Sequence, residues 1–218
     1  MEKKEIKKRR MWNFFIDATE ELIREEGMQK VTIRKVADRA GYNSATIYSY
    51  FNELSHLLFF ASLRLYKPYL ATVTSAMDNL EDPLEKYYVA WEYFCEYSFK
   101  QPEVFKAIFL MDLGEHPQAL LQHYYEMYPA DLITVPQDLQ AILMDRNLFN
   151  RGRYSVIPLV KAGLLKSEAA EELNELTNLV WLGMFTNFLN NRGYYSIEEA
   201  HRQTMKYVKE VTENALKK

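Results

Sequence analysis

Nowhere in these 218 residues does hydrophobicity alternate with a period of two for long enough to build a sheet. Apolar residues recur instead at the three-and-four spacing of a helix, from one end of the chain to the other. A chain patterned this way folds by laying helices on helices, and its glycines and prolines decide where each one starts and stops. Hydrophobic residues make up 48% of the sequence and Gly and Pro only seven positions each, which excludes a disordered chain. The length accommodates one large domain or a small domain joined to a larger one, and the second arrangement is expected.

Between Glu5 and Glu26, Met11, Phe14, Phe15, Ala18, Leu22 and Ile23 form one apolar stripe, and Gly27 stops the helix. Thr32 is placed to cap a second helix whose apolar side is Ile33, Val36, Ala37 and Ala40. Gly41 can enter the left-handed region needed for a tight turn, and Asn43 caps a third helix over 44–50 with Ile47 and Phe51 facing inward. A longer helix is expected from Leu54 toward Val73, kinked or broken at 64–68 by Pro68. Asp82-Pro83 and Gln101-Pro102 read as helix starts. Gly114, Pro117, Pro129 and Pro136, then Gly152, Pro158 and Gly163, are expected to divide the following stretch into short helices. Two stronger helices close the chain, at about 167–191 and 196–216.

The second and third helices with their turn have the form of a helix-turn-helix DNA reader. A major groove about 12 Å wide admits one α-helix, whose amino-terminal side chains meet base edges. The third helix carries Ser44, Ala45, Thr46, Tyr48, Ser49 and Tyr50, hydroxyls and one methyl where a solvated helix would carry charges, with Asn43 at its cap. Arg34 and Lys35, early in the second helix, are placed to hold the backbone, and Arg34 can reach a guanine edge. Two short helices around a glycine are also common in small helical subdomains, so the spacing alone leaves a purely structural role open.

These residues resemble the TetR-type transcriptional regulators over about residues 10–60. The resemblance is carried by Glu26-Gly27, by the run from Val31 to Ala37, and by the run from Gly41 to Phe51. It implies an all-α protein with an amino-terminal three-helix DNA-binding domain, residues 1–53, and a larger helical ligand-binding and dimerisation domain, residues 54–218. It further implies a homodimeric repressor on a near-palindromic double-stranded DNA operator, released by a small-molecule inducer. Base contacts carry over to Arg34, Ser44, Ala45 and Tyr48, and phosphate contacts to Thr32, Thr46, Ser49 and Tyr50. One position departs from the family pattern: the lysine expected at the start of the fourth helix is Leu54, preceded by Glu53.

Aromatic residues are dense between 84 and 128, and core packing accounts for most of them. The family's pocket in the carboxy-terminal body implies that some line a cavity, and Trp91, Cys95, Phe109, Tyr124, Trp181 and Phe185 are the expected wall residues. The penultimate helix carries Leu173, Leu176, Val180 and Met184 on one stripe and Trp181, Phe185 and Phe188 on another. A surface helix needs only one stripe. With Ile197, Ala200, Thr204, Val208, Val211 and Ala215 on the last helix, the family expectation is a dimer built from two copies of the closing pair.

Net charge is −3, but residues 1–60 hold 11 Lys and Arg against 9 Asp and Glu, and the remainder 16 against 21. The basic excess lies beside the DNA reader, and the acidic body is repelled by phosphate. The basic opening is followed by Asn13, Asp17 and Glu20 where a signal peptide needs an apolar core, and no apolar run approaches the roughly 20 residues of a membrane span. A cytoplasmic protein without membrane partners is expected, and the single Cys95 fits a reducing compartment. No GxSxG, HExxH, P-loop or GxGxxG is present, so no enzyme activity and no cofactor is expected. His116 and His123 stand seven residues apart, too far along a helix to chelate one ion, and no metal site is expected. The competing readings are a helical small-molecule carrier or enzyme that binds no specific DNA, and an activator or nucleoid-type binder.

Overall fold

The computed structural model describes residues 3–133, 140 and 142–217, and among them there is no strand. The helices are α1 (Lys3–Glu26), α2 (Ile33–Ala40), α3 (Ser44–Tyr48), α4 (Leu54–Leu65), α5 (Lys67–Met77), α6 (Pro83–Lys100), α7 (Pro102–Phe109), α8 (Pro117–Met127) and α9 (Ala130–Ile133). They continue with α10 (Leu148–Lys161), α11 (Ser167–Leu189) and α12 (Ile197–Ala215), and a 3-10 turn (Met28–Lys30) follows α1. No described helix is long and apolar enough to cross a membrane. The expected break at Pro68 is present: α4 ends at Leu65 and α5 begins at Lys67, because proline cannot donate to the preceding turn. Pro83, Pro102 and Pro117 each open a helix, where the missing N–H has no partner to lose. Pro136 lies outside the described residues.

The chain forms two compact units, residues 1–67 with 103–131, and residues 68–102 with 132–218. In the first, α1 lies against α2 and α4. Trp12 joins Phe51 at 4.7 Å and Phe60 at 4.9 Å, and Phe60 stacks on Tyr124 of α8 at 5.8 Å. The compact unit that holds the first three helices therefore runs past residue 53, because Phe51 and Trp12 are covered by the rings of α4. Arg64 of α4 is bonded to Asp17 and to Asn13 (2.9 Å) of α1 and lies over the Tyr128 ring. Tyr124 donates its hydroxyl to Asp131 at 2.7 Å, and burial drives that phenol far above its ordinary range.

In the second unit α6, α10, α11 and α12 surround a core of rings: Trp181 stacks on Phe185 at 4.6 Å and meets Phe94 at 4.9 Å. The Trp181 Nε1 donates to Ser98 Oγ at 3.0 Å. Helix α12 starts on a capping box, with Ser196 accepting from the Glu199 amide and Glu199 reaching back to the Ser196 amide.

Two expectations fail for a shared reason. Gly152 and Pro158 do not break the chain; α10 runs through both for 14 residues to Lys161, and Gly163, at φ 72°, follows its Ala162 cap. Gly152 is where α10 presses on α11, since a Cβ there would lie 1.9 Å from Asn174 Oδ1 and 2.6 Å from Asn178 Nδ2. Phe14 is 51% exposed, and α1 buries Trp12 and Ile16 in place of it. Both outcomes depend on neighbours distant in sequence.

Candidate nucleic-acid interface

The local sequence builds this region with little freedom. Thr32, extended at φ −136°, accepts the Lys35 amide on its hydroxyl at 3.3 Å and so caps α2. Val36 and Ala37 are buried against α1. Gly41, at φ 76°, closes α2 with its N–H on Asp38 O, and the following Tyr42 N–H returns to Ala37 O at 2.9 Å. That reversal places Asn43 at the start of α3, where its side-chain oxygen accepts from the Thr46 amide at 2.9 Å and the Thr46 hydroxyl at 3.0 Å. Helix α3 has five residues, too few to persist alone, and is held by Ile47 and Phe51 buried on the other side.

What remains outward is a small polar and aromatic face. Ala45, Tyr48 and Ser49 are exposed, with Tyr48 at 56%, and Ser44, Thr46 and Tyr50 are half-buried. The Ser49 hydroxyl donates to Ala45 O at 3.3 Å, and the Tyr50 ring lies 6.0 Å from Phe15. The structure thus brings Asn43, Ser44, Ala45, Thr46, Tyr48, Ser49 and Tyr50 together around one short helix. Thr32 and Arg34 are exposed at the start of α2. Two hydroxyl-bearing or amide groups also have structural duties, Asn43 and Thr32 as caps.

The cations of α2 differ from one another in ways the sequence did not show. Arg34 is almost fully exposed with Asp38 at 3.9 Å, while Lys35 Nζ is 2.5 Å from Glu26. Arg39 bonds Glu25 at 2.6 Å and Glu21 at 3.2 Å, and that hydrogen bond draws the Glu25 carboxyl below its usual range. Sequence reading also missed Tyr42 and Phe14, two exposed rings 6.3 Å apart at the turn. The missed signal was angular: at 100° per residue Phe14 shares a side of α1 with Lys7, Arg10 and Glu21, not with Trp12 and Ile16.

The six expected wall residues fall into both units. Phe109 and Tyr124 belong to the first; Trp91, Cys95, Trp181 and Phe185 belong to the core of the second. Burial pushes the Cys95 thiol well above its ordinary range, which leaves it unreactive. The second unit has shallow concavities on its surface. One of about 460 Å³ is lined by Ala71, Thr72, Ser75, Ala76 and Tyr93, and one of about 110 Å³ lies between α11 and α12; none of the six lines either. Among the described residues no three His, Cys, Asp or Glu side chains gather as a metal site.

Residues 15–58 match the family of bacterial regulatory proteins, tetR family. No curated protein matches the chain. Among solved structures, the chain is similar to Thermus thermophilus FadR, a TetR-family transcriptional repressor in complex with lauroyl-CoA. That likeness has a TM-score of 0.60 at 15% identity, covering 90% of this chain and 92% of that one. It is similar to RolR in complex with resorcinol, at TM-score 0.60 and 14% identity over 96% of this chain and 94% of that one. It is also similar to SmeT, the repressor of the Stenotrophomonas maltophilia multidrug efflux pump SmeDEF, at TM-score 0.53 and 14% identity over 93% and 89%. At these identities the likeness lies in the fold.

Proposed function

The chain belongs to the tetR family of bacterial regulatory proteins through residues 15–58 and the fold it shares with solved members, and from that premise we propose that it is a dimeric, operator-specific repressor released by a small apolar or aromatic ligand. Members of the family are DNA-binding transcriptional regulators, not enzymes. The observation that carries the proposal is the outward face of α3: a five-residue helix anchored by Ile47 and Phe51 that presents Ala45 and Tyr48 to solvent. A helix too short to stand alone is held in place here by its buried side, which keeps its polar side in a defined orientation.

In this function residues 1–53 read DNA and residues 54–218 bind ligand and dimerise. Arg34, Ser44, Ala45 and Tyr48 meet base edges; Thr32, Lys35, Asn43, Thr46, Ser49 and Tyr50 position the backbone. Lys35 must exchange Glu26 for a phosphate to do so, which costs it an existing ion pair. Two readers engage half-sites about 34 Å apart, which requires a second copy. Exposed apolar side chains on α11 and α12 support a dimer through those helices: Leu176 is 41% exposed, Leu179 47% and Tyr207 43%. The lauroyl-CoA and resorcinol complexes of the similar structures support an apolar or aromatic ligand in the helical body, and of the six expected wall residues Trp91, Cys95, Trp181 and Phe185 share the core of the second unit. Such a ligand lowers operator affinity only by the difference in its own affinity for the free and bound geometries.

A gel shift on the DNA upstream of the protein's own gene tests this. A saturable shift that resists competitor DNA and is weakened at least tenfold by Tyr48→Ala is expected. Absence of any competitor-resistant shift rejects the operator-specific function, and a shift insensitive to Tyr48→Ala rejects α3 as its reader.

A further inference from the structure

The cations of the first unit divide into two groups. Two of α2 are engaged, Lys35 by Glu26 and Arg39 by Glu21 and Glu25, while Arg34 is almost fully exposed with Asp38 at 3.9 Å. The family's phosphate-holding lysine at the start of α4 is replaced by Leu54 behind Glu53. Of the α2 cations Arg34 alone is left largely open to a duplex that carries one phosphate charge per roughly 1.7 Å. Apart from Lys30 and Arg34, the open cations of the first unit lie on α1. Lys3, Lys7 and Arg10 are exposed, and among the described residues none of them makes an ion pair.

At 100° per residue these three share one side of α1 with Phe14, Glu21 and Glu25. The contacts fix where that side points. Glu21 and Glu25 hold Arg39 of α2, and Phe14 lies 6.3 Å from Tyr42 in the turn that leads into α3. The same stripe, followed toward the amino terminus, passes from carboxylates that hold α2, through a ring beside the turn, to three exposed cations. With a rise of about 1.5 Å per residue, Arg10, Lys7 and Lys3 stand roughly 6, 10 and 16 Å beyond Phe14 along the axis. Helix α1 is continuous over 24 residues, so the cations are carried on a rigid rod and not on a loose arm.

We propose that the Lys3, Lys7 and Arg10 stripe of α1 is the principal phosphate clamp of this protein, gripping the DNA backbone that flanks the bases under α3. The inference rests on the DNA-binding function above. It assigns the non-specific, salt-dependent part of binding to α1 and leaves base reading to α3.

The test uses the full chain and a mixed-sequence 40-base-pair duplex, with affinity read by fluorescence anisotropy over a range of salt concentrations. Replacing the three cations together (K3Q/K7Q/R10Q) is expected to lower the slope of log affinity against log salt by about 2.7 per protomer, three contacts at about 0.9 each, and so by about 5.4 for a bound dimer. Affinity at about 0.1 M salt falls by roughly a hundredfold or more. The charge-preserving K3R/K7R keeps the wild-type slope, and K86Q/K161Q/K209Q, three lysines of the second unit, leaves it unchanged. A K3Q/K7Q/R10Q slope within half a unit of wild type overturns the clamp, as does an equal loss in K86Q/K161Q/K209Q. Wild-type protein that binds no duplex overturns the DNA-binding function itself and the clamp with it. Circular dichroism of K3Q/K7Q/R10Q matching wild type shows that a loss is not unfolding.

Discussion

Replacing Gly152 with alanine is expected to destabilise the protein, although the same change in an exposed helix stabilises. Alanine gains about 1 kcal/mol over glycine inside a helix, and Gly152 lies in the second turn of α10. Against this, the new methyl would stand 1.9 Å from Asn174 Oδ1 and 2.6 Å from Asn178 Nδ2, well inside contact distance. A free side-chain end could swing aside at small cost, but Asn174 is 4% exposed and committed twice. Its amide donates to Phe149 O at 2.9 Å, and its carbonyl oxygen accepts from Asn178 at 2.8 Å. Displacing it strains α10 against α11, at about 1–3 kcal/mol, and weakens two buried hydrogen bonds worth about 1 kcal/mol each. The net loss is about 2–4 kcal/mol, or roughly 4–16 °C in melting temperature for a chain of this size.

Urea unfolding followed by far-ultraviolet circular dichroism measures the loss as a lower midpoint at unchanged slope. The companion variant Asn174→Ala removes the obstacle, so Gly152→Ala in that background should cost at least 1 kcal/mol less than in wild type. A Gly152→Ala protein more stable than wild type by about 1 kcal/mol would refute the close approach of the two helices. So would a double-mutant coupling below about 0.5 kcal/mol.

Other expectations concern the reader and the core. Asn43→Ala removes the cap of α3 and both bonds to Thr46, and should lower stability by about 1–2 kcal/mol with loss of DNA binding; Asn43→Ser should restore most of both, as read by thermal melts and gel shifts. Leu54→Lys should steepen the salt dependence of duplex binding by about one unit per protomer, and an unchanged slope would show that the start of α4 lies away from phosphate. Burial pushes the Tyr87 phenol up to about 12, partly opposed by its bond to Thr177. The unfolded phenol titrates near 10, so above that pH the unfolded chain loses a proton that the folded one keeps. Stability is therefore intact below about pH 10 and falls as pH rises toward 12, by up to about 3 kcal/mol from this group. Tyr87→Phe should flatten that decline in a pH series of urea midpoints.

What could be read without the structure was local. Thr32, Asn43 and Ser196 mark helix starts because each oxygen reaches an amide two or three residues on, and Gly41 and Gly163 mark ends because only the left-handed region closes those turns. The reader was legible because its caps, turn and buried pair Ile47 and Phe51 all lie within twenty residues. Tertiary structure decided what depends on a distant neighbour. Gly152 looks like a helix breaker until α11 is laid against it, and Phe14 looks like core until α1 turns Trp12 and Ile16 inward. The charge count near the amino terminus was likewise visible, but its use was not. Glu21, Glu25 and Glu26 neutralise Lys35 and Arg39 of α2, leaving most of the open cations on α1. Backbone hydrogen bonds and chirality act over a few residues and are written in sequence order; burial and ion pairing act through space, and only the fold determines their partners.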